Sequence, residues 1–249
     1  MNIPKSSYPR IIIIGGGFAG ISLAKKLSKK EVQVVLLDKH NYHTFQPLLY
    51  QVSTGGLEPD SIAYPIRKIL KNFPNFIFRL AHVEEIITGG QIVRTNIGDL
   101  EYDYLVIATG SKTNYYGNVQ IEANSMAMKT IPQSLDLRSL ILENFEEALL
   151  TDQYHEREAL MNFVIVGAGP TGVELAGALA EIKKGILPKD YPDLDTRRVQ
   201  INLIQSGDRI LKEMSEKTSK KAEDFLEGLG VQVWKNMRVE GQLGPPVGE

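Results

Sequence analysis

The chain has 249 residues, 43% of them hydrophobic and 23% charged; this suffices for one large domain or two modest ones and excludes a disordered or fibrous protein. Lys and Arg number 28 against 30 Asp and Glu, a formal net charge of −2, so no basic excess exists to neutralise a phosphate backbone and nucleic acid is not an expected partner. The absence of cysteine excludes a disulfide framework, a cysteine-based zinc site and every chemistry that runs on a thiolate.

No stretch approaches the ~18 consecutive apolar residues of a membrane-spanning helix. The apolar run at residues 11–14 is cut off by Gly15, Gly16 and Gly17, too early for the core of a signal peptide. The expectation is a cytoplasmic protein.

In chain order, residues 11–14 are four isoleucines bounded by glycine, the pattern of a strand buried on both faces of a parallel sheet. Ile21, Ala24 and Leu27 then recur at helical spacing, with Lys25, Lys26, Lys29 and Lys30 on the other face. Residues 32–37 form a second apolar strand ending at Asp38, which completes a short βαβ unit. Residues 39–70, which include Pro47, Gly55, Gly56, Pro59 and Pro65, are expected to be an irregular, functional loop region. Residues 83–87 and 91–95 suggest a strand pair around Gly89 and Gly90. Residues 104–108 suggest a buried strand, and residues 134–150 an amphipathic helix behind Pro132. The pattern then restarts with a buried strand at 163–166, a glycine loop and a helix carrying Leu175, Ala176, Leu179 and Ile182. A strand at 199–205, a helix at 215–229 and a strand at 231–234 follow.

Gly15-x-Gly17-x-x-Gly20 lies between the first strand and its helix. Gly15 permits the tight turn, Gly17 lets the backbone approach a pyrophosphate, and Gly20 lets helix and strand pack closely. The helix N-terminus at Phe18 and Ala19 supplies N–H groups for the phosphates. Asp38, 18 residues beyond the last glycine, is placed to accept from the hydroxyls of an adenosine ribose. A glycine turn beside a surface aspartate would be the plain account of one isolated copy. A second copy, Gly167-x-Gly169-x-x-Gly172, begins 152 residues after the first in the same context, and coincidence explains both poorly. Here the following strand leads to Gln205, 33 residues beyond Gly172, with residues 183–198 as an insertion and Arg209 just beyond. Two dinucleotide sites in one chain imply hydride transfer between a nicotinamide cofactor and a flavin.

The run Asp38-Lys39-His40-Asn41-Tyr42-His43-Thr44-Phe45-Gln46-Pro47-Leu48-Leu49-Tyr50-Gln51 resembles the flavin-side signature of type II NADH:quinone oxidoreductases. So do Ala108-Thr109-Gly110 and the segment Gly167-Ala168-Gly169-Pro170-Thr171-Gly172-Val173-Glu174-Leu175-Ala176. The resemblance implies non-covalent FAD at the first site and NADH at the second, with a quinone as electron acceptor and no proton pumping. It implies that Gln46 lies beside the flavin ring, that Lys39 adjoins the cofactor, and that Val83 presents backbone to the adenine. The Thr109–Gly110 turn would close on the flavin. Pro170 and Thr171 would belong to the NADH loop, and Glu174 would be a positioning group near the reacting rings. A plain reading of Glu174 also exists, since an acid in the first turn of a helix is favoured by the dipole. His40 and His43 are read as loop packing near the flavin rather than a metal site, and no metal is expected.

These observations give an α/β fold with two Rossmann-like dinucleotide-binding domains, both expected to be incomplete at the C-terminus. Residues 1–118 are assigned to FAD binding and 119–240 to NAD(P)H binding, with 241–249 a disordered tail outside the family pattern. The resemblance implies longer proteins that reach a membrane surface through C-terminal helices, on the cytoplasmic face. The expectation is therefore a truncated chain, inactive or weakly active alone, with a homodimer compatible with it. Gln205 retains hydrogen bonding without charge and Arg209 is a candidate partner for a 2′-phosphate, so NADH with appreciable NADPH use is expected of an intact version. A ferredoxin- or rubredoxin-type NAD(P)H reductase, and a non-catalytic fold fragment, are the alternative functions.

Overall fold

The structure, a computed structural model, describes residues 1–240, so the expectation for 241–249 lies outside the described residues. It divides into two compact units. The first comprises Met1–Phe45 and Pro59–Lys112, the second Gln46–Glu58 and the described residues from Thr113 onward.

The first unit opens with β1 (Arg10–Ile14), α1 (Phe18–Leu27) and β2 (Gln33–Asp38). The segment expected to be irregular is built instead from short elements. They are β3 (Tyr42–Thr44), α2 (Leu49–Ser53, in the second unit), β4 (Ala63–Pro65) and α3 (Ile66–Ile69). β3 and β4 pair antiparallel with His43 opposite Tyr64; at three residues each, they are too short for an alternating pattern to be legible. β5 (Phe76–Leu80), also unanticipated, is placed by parallel pairing with β2, Phe78 opposite Leu36. β6 (Val83–Ile87), β7 (Ile92–Thr95) and β8 (Leu100–Glu101) form an antiparallel sheet, and β9 (Tyr104–Ile107) follows.

The main sheet has the order β5-β2-β1-β9, all parallel. Its central strands are buried on both faces as the apolar runs imply. Ile13, Val34 and Leu36 pack with Ile21 and Ala24 of α1, while Ile12, Val35 and Leu37 pack with Val93 and Leu100 of the antiparallel sheet. β9 is an edge strand, however, and its Tyr104 and Ile107 are exposed.

The second unit continues with α4 (Val119–Ala123), α5 (Ile131–Leu150), α6 (Tyr154–Leu160) and β10 (Asn162–Val166). Then come α7 (Pro170–Gly185), α8 (Leu187–Asp190), β11 (Gln200–Ile204), α9 (Glu216–Gly228) and β12 (Gln232–Trp234). Thr130 starts α5 by accepting the Gln133 N–H, and Ser215 starts α9 by accepting that of Thr218, the side-chain caps that such helix termini require. The sheet is parallel, β10-β11-β12. Its core joins Ile201 and Leu203 to Phe145 of α5, Ala176 and Leu179 of α7, and Leu226 of α9. The helices cover one face of β10 only. Val164 and Val166 point away and remain 51% and 55% exposed, so this strand is not the fully buried one its composition suggests.

Candidate functional site

The two glycine loops have the same internal construction. Gly15 N–H donates to the Leu37 carbonyl at 2.8 Å, and Gly167 N–H to the Ile204 carbonyl at 2.8 Å, tying each loop to the strand beside it. Gly15 (φ 109°) and Gly167 (φ 101°) occupy the left-handed region that a side chain resists. A Cβ on Gly20 would overlap the Gly15 carbonyl oxygen, and one on Gly172 that of Gly167, so both are needed for close approach of helix to loop. Gly17 and Gly169 differ in kind. Their φ angles of −75° and −74° suit any residue, and a Cβ on either would meet nothing within 4 Å. No packing or backbone demand explains glycine there; unfilled space at the start of a helix does, and it fits the approach of a pyrophosphate.

In the first unit the loop sits where β1 has β2 on one side and β9 on the other, the topological switch point at which open α/β sheets bind ligands. Phe18 and Ala19 begin α1 and are exposed. Asp38 ends β2; its Oδ2 accepts the Gly16 N–H and its Oδ1 the His40 N–H at 2.7 Å, which fixes the carboxylate beside the loop. Lys39 follows, exposed. Ala81 N–H donates to the Asp38 carbonyl at 2.9 Å, bringing the chain that enters Val83 alongside. Ala108 N–H donates to the Ile14 carbonyl at 2.8 Å, which places Thr109 and Gly110 at the same carboxyl edge of the sheet. These residues form one constellation.

In the second unit Gln205 directly follows β11, and its Oε1 accepts the Ala168 N–H at 3.1 Å. Pro170 and Thr171 begin α7 and are exposed. The Arg209 guanidinium is committed to the carbonyls of Lys212 (2.7 Å) and Met214 (2.9 Å), where it folds its own loop. Glu174 lies half-buried in α7, beyond the first turn in which a dipole reading would place it, and burial pushes its carboxyl above the ordinary value of 4.5. Gln46 is exposed and its Nε2 donates to the Lys129 carbonyl at 3.4 Å. It groups with the second unit, where the adjoining α2 packs against α5 and α7.

Two loop ties were not legible in the sequence. His43 places Nδ1 2.9 Å from the Gly16 carbonyl oxygen, and Leu211 N–H donates to the Ala168 carbonyl at 2.8 Å. Both partners are remote in the chain, and no spacing rule connects them to a glycine loop. Among the described residues no cluster of His, Asp and Glu is arranged to hold a metal ion, and no helix is long and apolar enough to cross a membrane.

Two strand–glycine loop–helix sites on two parallel sheets define an oxidoreductase fold built around a pair of dinucleotides. The chain belongs to the pyridine nucleotide-disulphide oxidoreductase family, which it matches over residues 9–244. It is 36% identical over 228 residues to the type II NADH:quinone oxidoreductase Ndh of Mycobacterium tuberculosis, covering 90% of this chain and 49% of that protein. It is 33% identical to the external alternative NAD(P)H-ubiquinone oxidoreductase B3 of Arabidopsis thaliana, covering 92% and 42%. The structure of NDH2 from Plasmodium falciparum in complex with NADH superposes with a TM-score of 0.86 at 25% identity, covering 94% of this chain and 49% of that one. The chain thus spans about half the length of the curated relatives it matches.

Proposed function

We propose that the protein binds FAD on the Gly15 loop and NADH on the Gly167 loop, and serves an NADH dehydrogenase activity with a quinone as electron acceptor. The duplicated loop, with its two glycines whose missing side chains face open space, carries this reading. The named activities of the relatives in Mycobacterium and Arabidopsis support the choice of nicotinamide donor and quinone acceptor. FAD bound in this way supplies an acceptor for hydride and a donor of two electrons.

The chain's own residues bind and orient. Gly17, Phe18 and Ala19 offer backbone to the FAD pyrophosphate, Asp38 accepts from the adenosine ribose, and Val83 borders the adenine. Ala108, Thr109 and Gly110 line the flavin side of the same edge. At the second loop Gly169, Pro170 and Thr171 take the NADH pyrophosphate, while Glu174 and Gln46 position the reacting rings. Because Gln205 uses its carbonyl oxygen on Ala168, its amide N–H groups are left for the ribose 2′ position. A neutral donor can donate to either a hydroxyl or a phosphate oxygen there, so NADH is used together with appreciable NADPH. Arg209, held by its own loop carbonyls, is secondary to Gln205 in this choice.

The test is titration of the purified protein with FAD by flavin-fluorescence quenching, followed by NADH-dependent reduction of a soluble quinone analogue. Saturable FAD binding is expected, with quinone reduction by this chain alone absent or weak and dependent on both FAD and NADH. Failure to bind FAD would refute the reading.

A further inference from the structure

The loop that we assign to FAD is held by two side chains rather than one. Asp38 fixes the peptide joining Gly15 to Gly16 by accepting the Gly16 N–H. The next peptide, joining Gly16 to Gly17, is fixed from its carbonyl, which lies 2.9 Å from His43 Nδ1. A carbonyl oxygen only accepts, so Nδ1 carries the proton and donates. In a trans peptide the C=O and N–H point to opposite sides. By holding the Gly16 carbonyl toward itself, His43 therefore turns the Gly17 N–H the other way, at the position where an added Cβ would meet nothing.

The second loop supplies an internal comparison. Its corresponding peptide, Ala168 to Gly169, is held through the same carbonyl, but by the Leu211 backbone N–H at 2.8 Å. One chain has thus solved the same orientation problem twice, once with backbone and once with a histidine. The imidazole is itself held in place. It stands edge-on to Phe18 at 5.0 Å between ring centroids, Phe18 stands edge-on to Phe45 at 5.5 Å, and His43 lies within the β3–β4 pairing.

We infer that His43 is a positioning residue for the FAD pyrophosphate, acting through the Gly16 carbonyl to aim the Gly17 N–H at the phosphates. The inference rests on the assignment of FAD to the Gly15 loop. It requires a donor at the Nδ1 position and does not require an imidazole as such.

The experiment compares wild type, His43→Phe and His43→Asn by FAD dissociation constant, NADH dissociation constant and melting temperature. Phenylalanine keeps the edge-on packing and removes the donor, whereas asparagine places an amide N–H near the site of Nδ1. Loss of one hydrogen bond of this kind predicts about tenfold weaker FAD binding for His43→Phe. FAD affinity within about threefold of wild type is expected for His43→Asn. NADH affinity should be equal in all three, since Leu211 holds the second loop. Unchanged FAD affinity in His43→Phe, or equal losses in both variants, would overturn the inference. If His43→Phe fails to fold, the asparagine variant decides: wild-type affinity supports a donor role, and a tenfold loss overturns it. Absence of FAD binding in the wild type would instead refute the assignment of the loop, and this inference with it.

Discussion

The Ala168 N–H donates to Gln205 Oε1 at 3.1 Å, the relation that the Gly16 N–H bears to Asp38 Oδ2 in the first unit. Gln205 is therefore the structural counterpart of Asp38, to which we assign the ribose, despite its displacement by an insertion. The amide orientation follows from its partner, because only the oxygen can accept from Ala168.

Exchanging that amide for a carboxylate preserves the bond to Ala168 and places negative charge where a 2′-phosphate would sit. Gln205→Glu should raise the ratio of kcat/KM for NADH over NADPH by about tenfold. An unchanged ratio would show that another residue reads the 2′ position.

The glycines of each loop should separate by role. Gly20→Ala forces a methyl group onto the Gly15 carbonyl and should cost about 2–4 kcal/mol of stability, read by denaturant unfolding. Gly17→Ala introduces no clash and no strained φ, so its stability should stay within about 0.5 kcal/mol of wild type. Equal losses in the two would mean that Gly17 is also a packing glycine.

Glu174 gives a pH-dependent prediction. Burial raises its folded-state pKa above the ordinary 4.5, so the folded protein bears a cost for the ionised carboxylate that the unfolded chain does not. That cost is absent below about pH 4.5, where both states are protonated, and is complete once pH exceeds the raised folded value. Glu174→Gln should melt higher than wild type at pH 7, and the difference should vanish as pH falls below about 4.5. A variant melting at or below wild type at pH 7 would contradict this.

Ser134 of α5 is fully buried and its hydroxyl has no hydrogen-bond partner. Removing it relieves a desolvated polar atom and installs a better helix former. Ser134→Ala should stabilise by about 0.5–1 kcal/mol in a denaturant titration. Destabilisation would reveal a bond made by this hydroxyl.

Local signals made much of the architecture legible. The isoleucines of β1, the glycines of both loops and the acid ending β2 each announce themselves within a few residues. Gln205 was reachable too, by following the second strand past the insertion. What depends on distant pairing was not. β5 has an apolar run of only Phe76, Ile77 and Phe78, and becomes a strand by lying along β2. Val164 and Val166 read as core, yet the helices pack on the other face of β10. His43 was legible as loop packing, which its edge-on contact with Phe18 bears out, but its tie to Gly16 was not, because that partner lies 27 residues away. Gln46 follows the FAD-side sequence yet groups with the second unit through α2, a contact that composition does not encode.

The assignment of the two loops is tested most directly by anaerobic addition of NADH to FAD-loaded protein while flavin absorbance is followed, with Gly17→Val and Gly169→Val alongside. At both positions an added Cβ meets nothing within 4 Å, so each substitution fills space that our assignment gives to the ligand. Wild type should hold FAD and be bleached by NADH. Gly17→Val should hold no FAD, and Gly169→Val should hold FAD that NADH fails to bleach. Retention of FAD by Gly17→Val, or its loss from a folded Gly169→Val, would contradict the assignment.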